Sequence, residues 1–163
     1  MKFKNLALIG MPGSGKSLIG KQLATEIGRE FIDIDEEIVK KQGKSIKDLF
    51  IMGEESFREI EQEVLKEFSL KENLIIATGG GIIKRYENVR ELKKNSIIIF
   101  IDRPLEDILK DIDTDTRPLL TEGKEKLFKL YEERYQLYIL YCDIIIKNDK
   151  DVNSAVDKIL TQI

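Results

Sequence analysis

Apolar residues follow two alternating patterns along this chain. In several places they form short continuous runs, such as 97–101, where five apolar residues stand together. Between these runs they recur every three or four residues among charged side chains, as they do along 127–141. Continuous runs are typical of strands covered on both faces, and spaced ones of helices with one buried face. The alternation predicts an α/β fold in which a mostly parallel sheet carries helices on both sides.

Five strands and eight helices are predicted from this pattern. The strands lie at residues 6–10, 30–34, 74–78, 96–101 and 143–146. The helices lie at residues 17–27, 34–42, 45–52, 54–68, 86–94, 104–112, 124–141 and 153–160. The polar stretch at about 113–124 has no regular period, and we expect it to form a lid. Because no domain boundary is visible, residues 1–163 are expected to form a single domain.

Composition narrows the possible partners of this domain. The 163 residues carry a net charge of −3, so no basic surface argues for nucleic acid as the main partner. No apolar run approaches about 18 residues, which argues against a membrane span, and the absence of a visible leader favours the cytoplasm. The single Cys142 excludes an internal disulfide. Nothing in the pattern requires more than a monomer.

The most specific motif is the segment from Gly10 to Ser17, which reads GMPGSGKS. It fits the phosphate-binding P-loop, because a strand is predicted before it and a helix after it. Its glycines allow backbone N–H groups to point at phosphate, while Lys16 reaches the outer phosphates and the Ser17 hydroxyl binds Mg²⁺. The motif therefore predicts binding of a nucleoside triphosphate. The predicted nucleotide contacts are Gly13, Ser14, Gly15, Lys16, Ser17, Leu18 and Arg117.

Two aspartates follow the second predicted strand, at the edge of the sheet where ligands of α/β proteins bind. Asp33 and Asp35 are two residues apart and would project to the same side of an extended chain. Asp33 is the candidate for the metal, with Ser17. Asp35 is the candidate base, and with no histidine in the chain, acid–base work falls to carboxylates or lysines. The alternative is that both aspartates cap the following helix.

Three arginines are candidates for binding anions. Arg134 falls within the apolar stripe of the helix at 124–141, where a buried guanidinium needs an anionic partner. Arg58 stands on another helix with Glu61 one turn later, close enough to be oriented by it. Arg117, in the expected lid, could close over the transferring phosphoryl group. The alternatives are an internal salt bridge, a surface pair and a solvated loop arginine, respectively.

Three consecutive glycines, Gly79, Gly80 and Gly81, follow the third predicted strand. Glycine brings no side-chain packing, so the triplet favours a place where the backbone approaches a ligand closely, although a flexible turn is the alternative. The third strand lacks the terminal aspartate that many P-loop proteins use to bind metal. Metal binding is therefore expected to rely on Ser17 and Asp33.

Together these motifs resemble the ordered signature of the shikimate kinase family over nearly the whole chain. The resemblance joins GMPGSGKS with the sequences DID at 33–35, FREIE at 57–61, GGG at 79–81, RPLL at 117–120 and ERYQLY at 133–138. It implies a three-layer P-loop NTPase fold like that of nucleoside monophosphate kinases, with strand order 2-3-1-4-5 and a lid. It also implies transfer of the ATP γ-phosphoryl group to the 3-hydroxyl of shikimate, with Mg²⁺, in the biosynthesis of chorismate and the aromatic amino acids.

The resemblance assigns roles to the candidate residues. Arg58 and Arg134 would bind the shikimate carboxylate, with Glu61 steadying Arg58. Asp35 would accept the proton of the attacking hydroxyl. The backbone at Gly79, Gly80 and Gly81 would complete the pocket, and Lys16, Mg²⁺ and Arg117 would neutralise the transferring phosphoryl group.

The chain departs from the family at the expected adenine contacts. Lys110 stands where many members have an arginine, and no arginine follows the last strand. Another small-molecule P-loop kinase, for gluconate or a nucleoside monophosphate, is the first alternative. The second is a protein that binds shikimate or nucleotide without catalysis.

Overall fold

The computed structural model describes residues 5–111 and 123–163. Within them lie the strands β1 (Asn5–Ile9), β2 (Glu30–Asp33), β3 (Leu74–Ala77), β4 (Ser96–Asp102) and β5 (Ile144–Lys147). The helices are α1 (Lys16–Ile27), α2 (Ile34–Gln42), α3 (Ile46–Ile51), α4 (Glu54–Ser69), α5 (Tyr86–Asn95), α6 (Leu105–Asp111), α7 (Lys124–Tyr141) and α8 (Val152–Leu160). Every predicted strand and helix is confirmed. A short 3₁₀ turn at Ile82–Lys84 was not predicted.

The five strands form one parallel sheet in the order β2-β3-β1-β4-β5, as the family resemblance implies. β1 lies at its centre, where Leu8 pairs with Ala77 of β3 on one side and with Ile99 of β4 on the other. In a parallel sheet all carboxyl ends reach the same edge. The loops that follow the five strands therefore meet at one edge of the molecule.

The core has two layers, one on each face of the sheet. Ala7 and Ile9 of β1 point into the layer that includes α2, α4, α5 and α7. Leu6 and Leu8 point into the opposite layer, which includes α1 and α8. Both faces of the strand are thus buried, which explains why its sequence is apolar without alternation.

The expected lid falls almost entirely on residues 112–122, which lie outside the described residues. Arg117 lies there too. Of the expected lid, Gly123 and Lys124 are described, and Lys124 already begins α7. In residues 5–111 and 123–163, no helix has the length and apolar character needed to cross a bilayer.

Candidate active site

The predicted phosphate loop connects β1 to α1 at the centre of the sheet. Gly10, Gly13 and Gly15 have φ values of 150°, 79° and 96°, a region that side chains disfavour. The loop therefore needs its glycines for conformation. Lys16 is buried as the first residue of α1, and its ammonium donates to the carbonyls of Gly10 at 2.9 Å and Met11 at 2.8 Å. This places its positive charge inside the curve of the loop.

Asp33 faces Ser17 across the entrance of the loop. The Ser17 hydroxyl donates to Oδ2 of Asp33 at 2.6 Å. The other oxygen of Asp33 accepts from the backbone N–H groups of Asp35, at 3.0 Å, and Glu36, which makes Asp33 the N-cap of α2. Asp33 thus caps the helix, as the alternative interpretation expected, and also lies beside the hydroxyl. Such a pair of oxygen donors fits Mg²⁺, which proteins usually hold through one or two side chains and substrate phosphates.

The backbone at Asp35 differs from the prediction. β2 ends at Asp33, so Asp35 lies in the first turn of α2 and not on an extended chain. The period-two argument that placed both aspartates on one side was wrong, because Asp33 caps a helix that begins at once. The carboxylate still points towards the third strand: a Cβ at Gly79 would lie 3.1 Å from its Oδ1. Asp33 and Asp35 both line the cavity described next.

A cavity of about 340 Å³ lies over the carboxyl edge of the sheet. It brings the phosphate loop together with the end of β2 and the loop after β3. The side chain of Ser14 is buried within the phosphate loop, and that of Leu18 is largely exposed at the cavity. The predicted site residues that line this cavity are Gly13, Gly15, Lys16, Ser17, Leu18, Asp33, Asp35, Gly79 and Gly80.

Arg58 and Glu61 form a buried pair on α4. The guanidinium of Arg58 donates to Glu61 Oε2 at 2.8 Å, and both side chains are nearly inaccessible, so the surface-pair alternative is wrong. Arg58 also contacts the more exposed Glu54 at 3.5 Å. Burial raises the pKa of Glu61, and the positive charges of Arg58 and Arg134 oppose this rise. The Nε of Arg58 and Oε1 of Glu61 have no hydrogen-bond partner among the described residues.

Arg134 supplies a second buried guanidinium close to this pair. It lies on the buried face of α7 with 3% of its surface exposed, as the apolar stripe predicts. Its Nε and Nη1 are buried without a hydrogen-bond partner among the described residues. Its positive charge acts on the buried carboxylate of Glu61, which pairs directly with Arg58. Unpaired buried guanidinium donors suit a small anionic ligand, such as a carboxylate.

The glycine triplet makes room for the side chains of the site. A Cβ at Gly79 would press on Asp35 and Glu61, and one at Gly80 would lie 2.7 Å from Cδ of Pro12. A Cβ at Gly81 would lie 2.2 Å from the guanidinium of Arg58. None of the three glycines has a positive φ, so clearance and not conformation requires them. The close approach that the sequence predicts is made here by the protein's own side chains.

Sequence reasoning missed three residues at this edge. Tyr138 is buried and donates to the carbonyl of Gly80 at 2.5 Å, and burial raises its pKa to about 12. Arg103 and Asn148 contact the phosphate loop from beyond β4 and β5. Arg103 and Asn148 each lie two residues after the end of a predicted strand, and that position was a signal that could have identified them. Lys110, which the resemblance places at an expected adenine contact, is exposed and pairs with Asp107.

A model of one protein family matches most of the chain. Its description is shikimate kinase, and it covers residues 12–163. The chain is 49% identical over 154 residues to a shikimate kinase of Clostridium beijerinckii, covering 94% of this chain and 91% of that protein. It is 40% identical over 163 residues to one of Persephonella marina, covering 98% and 99%.

Solved structures agree with the sequence comparison. A shikimate kinase from Acinetobacter baumannii, solved in complex with shikimate, superposes with a TM-score of 0.93 at 35% identity, covering 98% of this chain and 92% of that one. The shikimate kinase of Aquifex aeolicus superposes with a TM-score of 0.85 at 39% identity, covering 96% and 94%. The likeness extends over the whole sheet and its helices.

Proposed function

The chain belongs to the shikimate kinase family, and from this we infer that it transfers the γ-phosphoryl group of ATP to the 3-hydroxyl of shikimate. The products are shikimate 3-phosphate and ADP, in the pathway to chorismate and the aromatic amino acids. One observation carries this assignment for the site itself. Two buried guanidiniums, those of Arg58 and Arg134, have unpaired donors. Arg58 lies against Gly81, next to Gly79 and Gly80, which line the cavity that joins the phosphate loop to the carboxylate of Asp35.

Arg58 and Arg134 bind the carboxylate of shikimate. Their unpaired N–H groups provide charge-assisted hydrogen bonds, which are stronger than neutral ones and favour a planar carboxylate. Glu61 holds Arg58 in place, and Gly81 leaves the space in which the guanidinium lies. The ring of the substrate then lies towards Gly79 and Gly80. This fixes the acceptor before the nucleotide reacts with it.

Asp35 acts as the base. The 3-hydroxyl oxygen of shikimate attacks the γ-phosphorus, and its proton passes to the carboxylate of Asp35. As the new P–O bond forms, the bond to the bridging oxygen breaks and its electron pair stays on the β-phosphate of ADP. The Asp35 carboxylate lines the same cavity as the phosphate loop, which lets it lie on the acceptor side of the reaction.

The phosphate loop holds the donor. Lys16 neutralises the outer phosphates, and backbone N–H groups of Gly13 and Gly15 orient them. The N–H of Ser14, also a predicted nucleotide contact, donates to the carbonyl of Met11, and Ser14 contributes through the position of its peptide. Ser17 and Asp33 would hold Mg²⁺, which supplies positive charge to the phosphates when it is bound. Arg117 remains the predicted cation for the transferring group. Leu18, at the mouth of the cavity, is proposed to contact the nucleotide.

A coupled assay of ADP release tests the substrate. Shikimate, gluconate and nucleoside monophosphates are offered in parallel to the protein with MgATP. We expect turnover with shikimate alone, because neither of the other acceptor classes combines one carboxylate with the ring hydroxyls that this site accommodates. ATP binding without release of ADP on any acceptor would favour a non-catalytic protein.

We further expect a cytoplasmic monomer with no nucleic-acid or membrane partner.

A further inference from the structure

Two side chains from the ends of neighbouring strands contact carbonyl groups of the phosphate loop. Nη1 of Arg103 donates to the carbonyl of Gly13 at 3.0 Å. Nδ2 of Asn148 donates to the carbonyl of Ser14 at 2.9 Å. Arg103 follows β4 and Asn148 follows β5, so two neighbouring strands each place one donor on the loop. The two carbonyls are consecutive, which means that adjacent peptide planes are held.

Holding these carbonyls orients the loop's N–H groups. In a trans peptide the C=O and the next N–H point in opposite directions. The contact of Asn148 with the Ser14 carbonyl therefore directs the N–H of Gly15 to the other side of that peptide. The peptide before it is fixed at both ends, since the Ser14 N–H donates to the carbonyl of Met11 at 3.1 Å. Phosphate binding by such a loop depends on the direction of these amides.

The contact of Asn148 is closely packed. Asn148 is 9% exposed, and a Cβ at Gly15 would lie 2.8 Å from the side-chain amide nitrogen of Asn148. Position 15 thus needs glycine for two reasons: Gly15 has a φ of 96°, and a larger residue would block the approach of Asn148. A displaced Asn148 would leave the Ser14 carbonyl without this buried donor.

Arg103 adds a second connection. Its other terminal nitrogen, Nη2, pairs with Asp111, the last residue of α6. One guanidinium therefore ties the phosphate loop to α6, and it also lines the nucleotide cavity. A planar guanidinium can bridge two acceptors at fixed positions, whereas a lysine ammonium on a flexible stem cannot reproduce that geometry.

We propose that Arg103 and Asn148 are positioning residues for the nucleotide, which hold the peptide planes of the phosphate loop in the orientation that binds phosphate. The proposal rests on the proposed function only in that the loop binds ATP. Neither residue is required to touch the reacting atoms. Their contribution belongs to nucleotide affinity and not to shikimate affinity.

Isothermal titration calorimetry with MgADP alone and with shikimate alone tests this assignment. Arg103→Met and Asn148→Leu remove the donors while keeping much of the volume. Each variant loses a hydrogen bond that holds the phosphate loop in place. We therefore expect Kd for MgADP to rise about tenfold in each. KM for ATP should rise in parallel. Kd for shikimate should stay within about twofold, because the contacts of Arg58 and Arg134 are untouched.

Two matched controls separate positioning from general loss of structure. Arg85→Met removes an arginine of similar exposure that contacts Gln62 and Glu55, away from the phosphate loop. Asn88→Ala removes a buried amide that donates to a backbone carbonyl, that of Ile82, at 3.0 Å. Both controls lose hydrogen bonds and are expected to lower Tm, but their MgADP affinity should not change.

Conservative variants keep the test decisive where a larger change unfolds the protein. Arg103→Lys retains a charge with one point of contact and should bind MgADP with intermediate affinity. Asn148→Asp keeps the size but turns an oxygen towards the Ser14 carbonyl, and should bind more weakly than Asn148→Leu.

Unchanged MgADP affinity in the folded variants would overturn the proposal. So would an equal loss in the two controls, which would indicate a structural role alone. Because MgADP binding needs no acceptor, wild-type protein that binds MgADP without phosphorylating shikimate would contradict the proposed function and leave this inference standing.

Discussion

Glu61 is a charged residue type in a buried environment. It carries an ionisable carboxyl that is 1% exposed and has one oxygen without a partner among the described residues. Loss of hydration raises its pKa, against the opposing charges of Arg58 and Arg134. An acid whose pKa is higher in the folded than in the unfolded state binds more protons when folded. Its contribution to stability is then present below the unfolded-state pKa, about 4.3, and is lost as the pH rises through the folded-state pKa.

Glu61→Gln tests this sign. Glutamine cannot ionise, so only the wild type loses this contribution as the pH rises. The free energy of unfolding of the variant minus that of the wild type should therefore increase from pH 4 towards neutrality. Denaturant titrations at several pH values measure the difference. If this difference instead decreases over the same range, Arg58 and Arg134 lower the pKa of Glu61 more than burial raises it.

Gly81→Ala tests the clearance around Arg58. The added methyl group would lie 2.2 Å from the guanidinium, so Arg58 must move from its position beside Glu61. We expect KM for shikimate to rise at least about tenfold, the loss typical of a misplaced charged hydrogen bond, while MgADP affinity is kept.

Gly43→Ala is the matched control for that variant. Gly43 ends α2 with a φ of 64°, and a Cβ there meets nothing within 4 Å. The control should lower stability through backbone strain and leave KM for shikimate unchanged. Equal KM values for Gly81→Ala and the wild type would show that Arg58 does not need this space.

At the scale of elements, α2 and the phosphate loop share Asp33. One oxygen caps the helix and the other accepts from Ser17, so a single carboxylate fixes both where α2 begins and what faces the loop. This explains why Asp35 lies in a helical turn. The observed cap and the proposed metal binding depend on different properties of Asp33: the cap needs an oxygen acceptor, and metal binding needs a negative charge.

Two substitutions separate these functions. Asp33→Asn retains a good capping side chain and should leave the free energy of unfolding nearly unchanged while raising the Mg²⁺ concentration needed for turnover. Asp33→Ala should show the same metal effect and also lose about 1 kcal/mol of stability, as is typical of a lost N-cap. Chemical denaturation and Mg²⁺ titrations of activity measure the two effects. An unaltered Mg²⁺ requirement in both variants would contradict a role for Asp33 at the metal.

In the whole molecule, the site is a product of sheet topology. The order β2-β3-β1-β4-β5 brings Asp33, Gly79, the phosphate loop, Arg103 and Asn148 to one edge, each from the end of a different strand. The rest of the chain, chiefly α4 and α7, supplies the buried guanidiniums. The residues proposed to bind the nucleotide and those proposed to bind shikimate therefore converge although they are far apart in sequence.

How much of this the sequence predicts depends on the range of the interaction. Continuous apolar runs and the GMPGSGKS motif are local, so the strands and the phosphate loop could be predicted. The burial of Arg134 follows from helical spacing, which is also local. The contacts of Asn148 and Ser14 join residues 134 positions apart, and only the strand order brings them together. The clearance at Gly81 depends on where the Arg58 side chain lies, which no periodicity encodes.

The central claim is that this chain phosphorylates shikimate with Asp35 as the base. Shikimate-dependent ADP release by the wild type and by Asp35→Asn, at saturating MgATP, tests it most directly. We predict turnover by the wild type and a loss of at least about a hundredfold in the variant, the scale of general base catalysis, with MgADP affinity largely kept. Full activity of the folded Asp35→Asn protein, or no shikimate-dependent turnover by folded wild-type protein that binds MgADP, would contradict it.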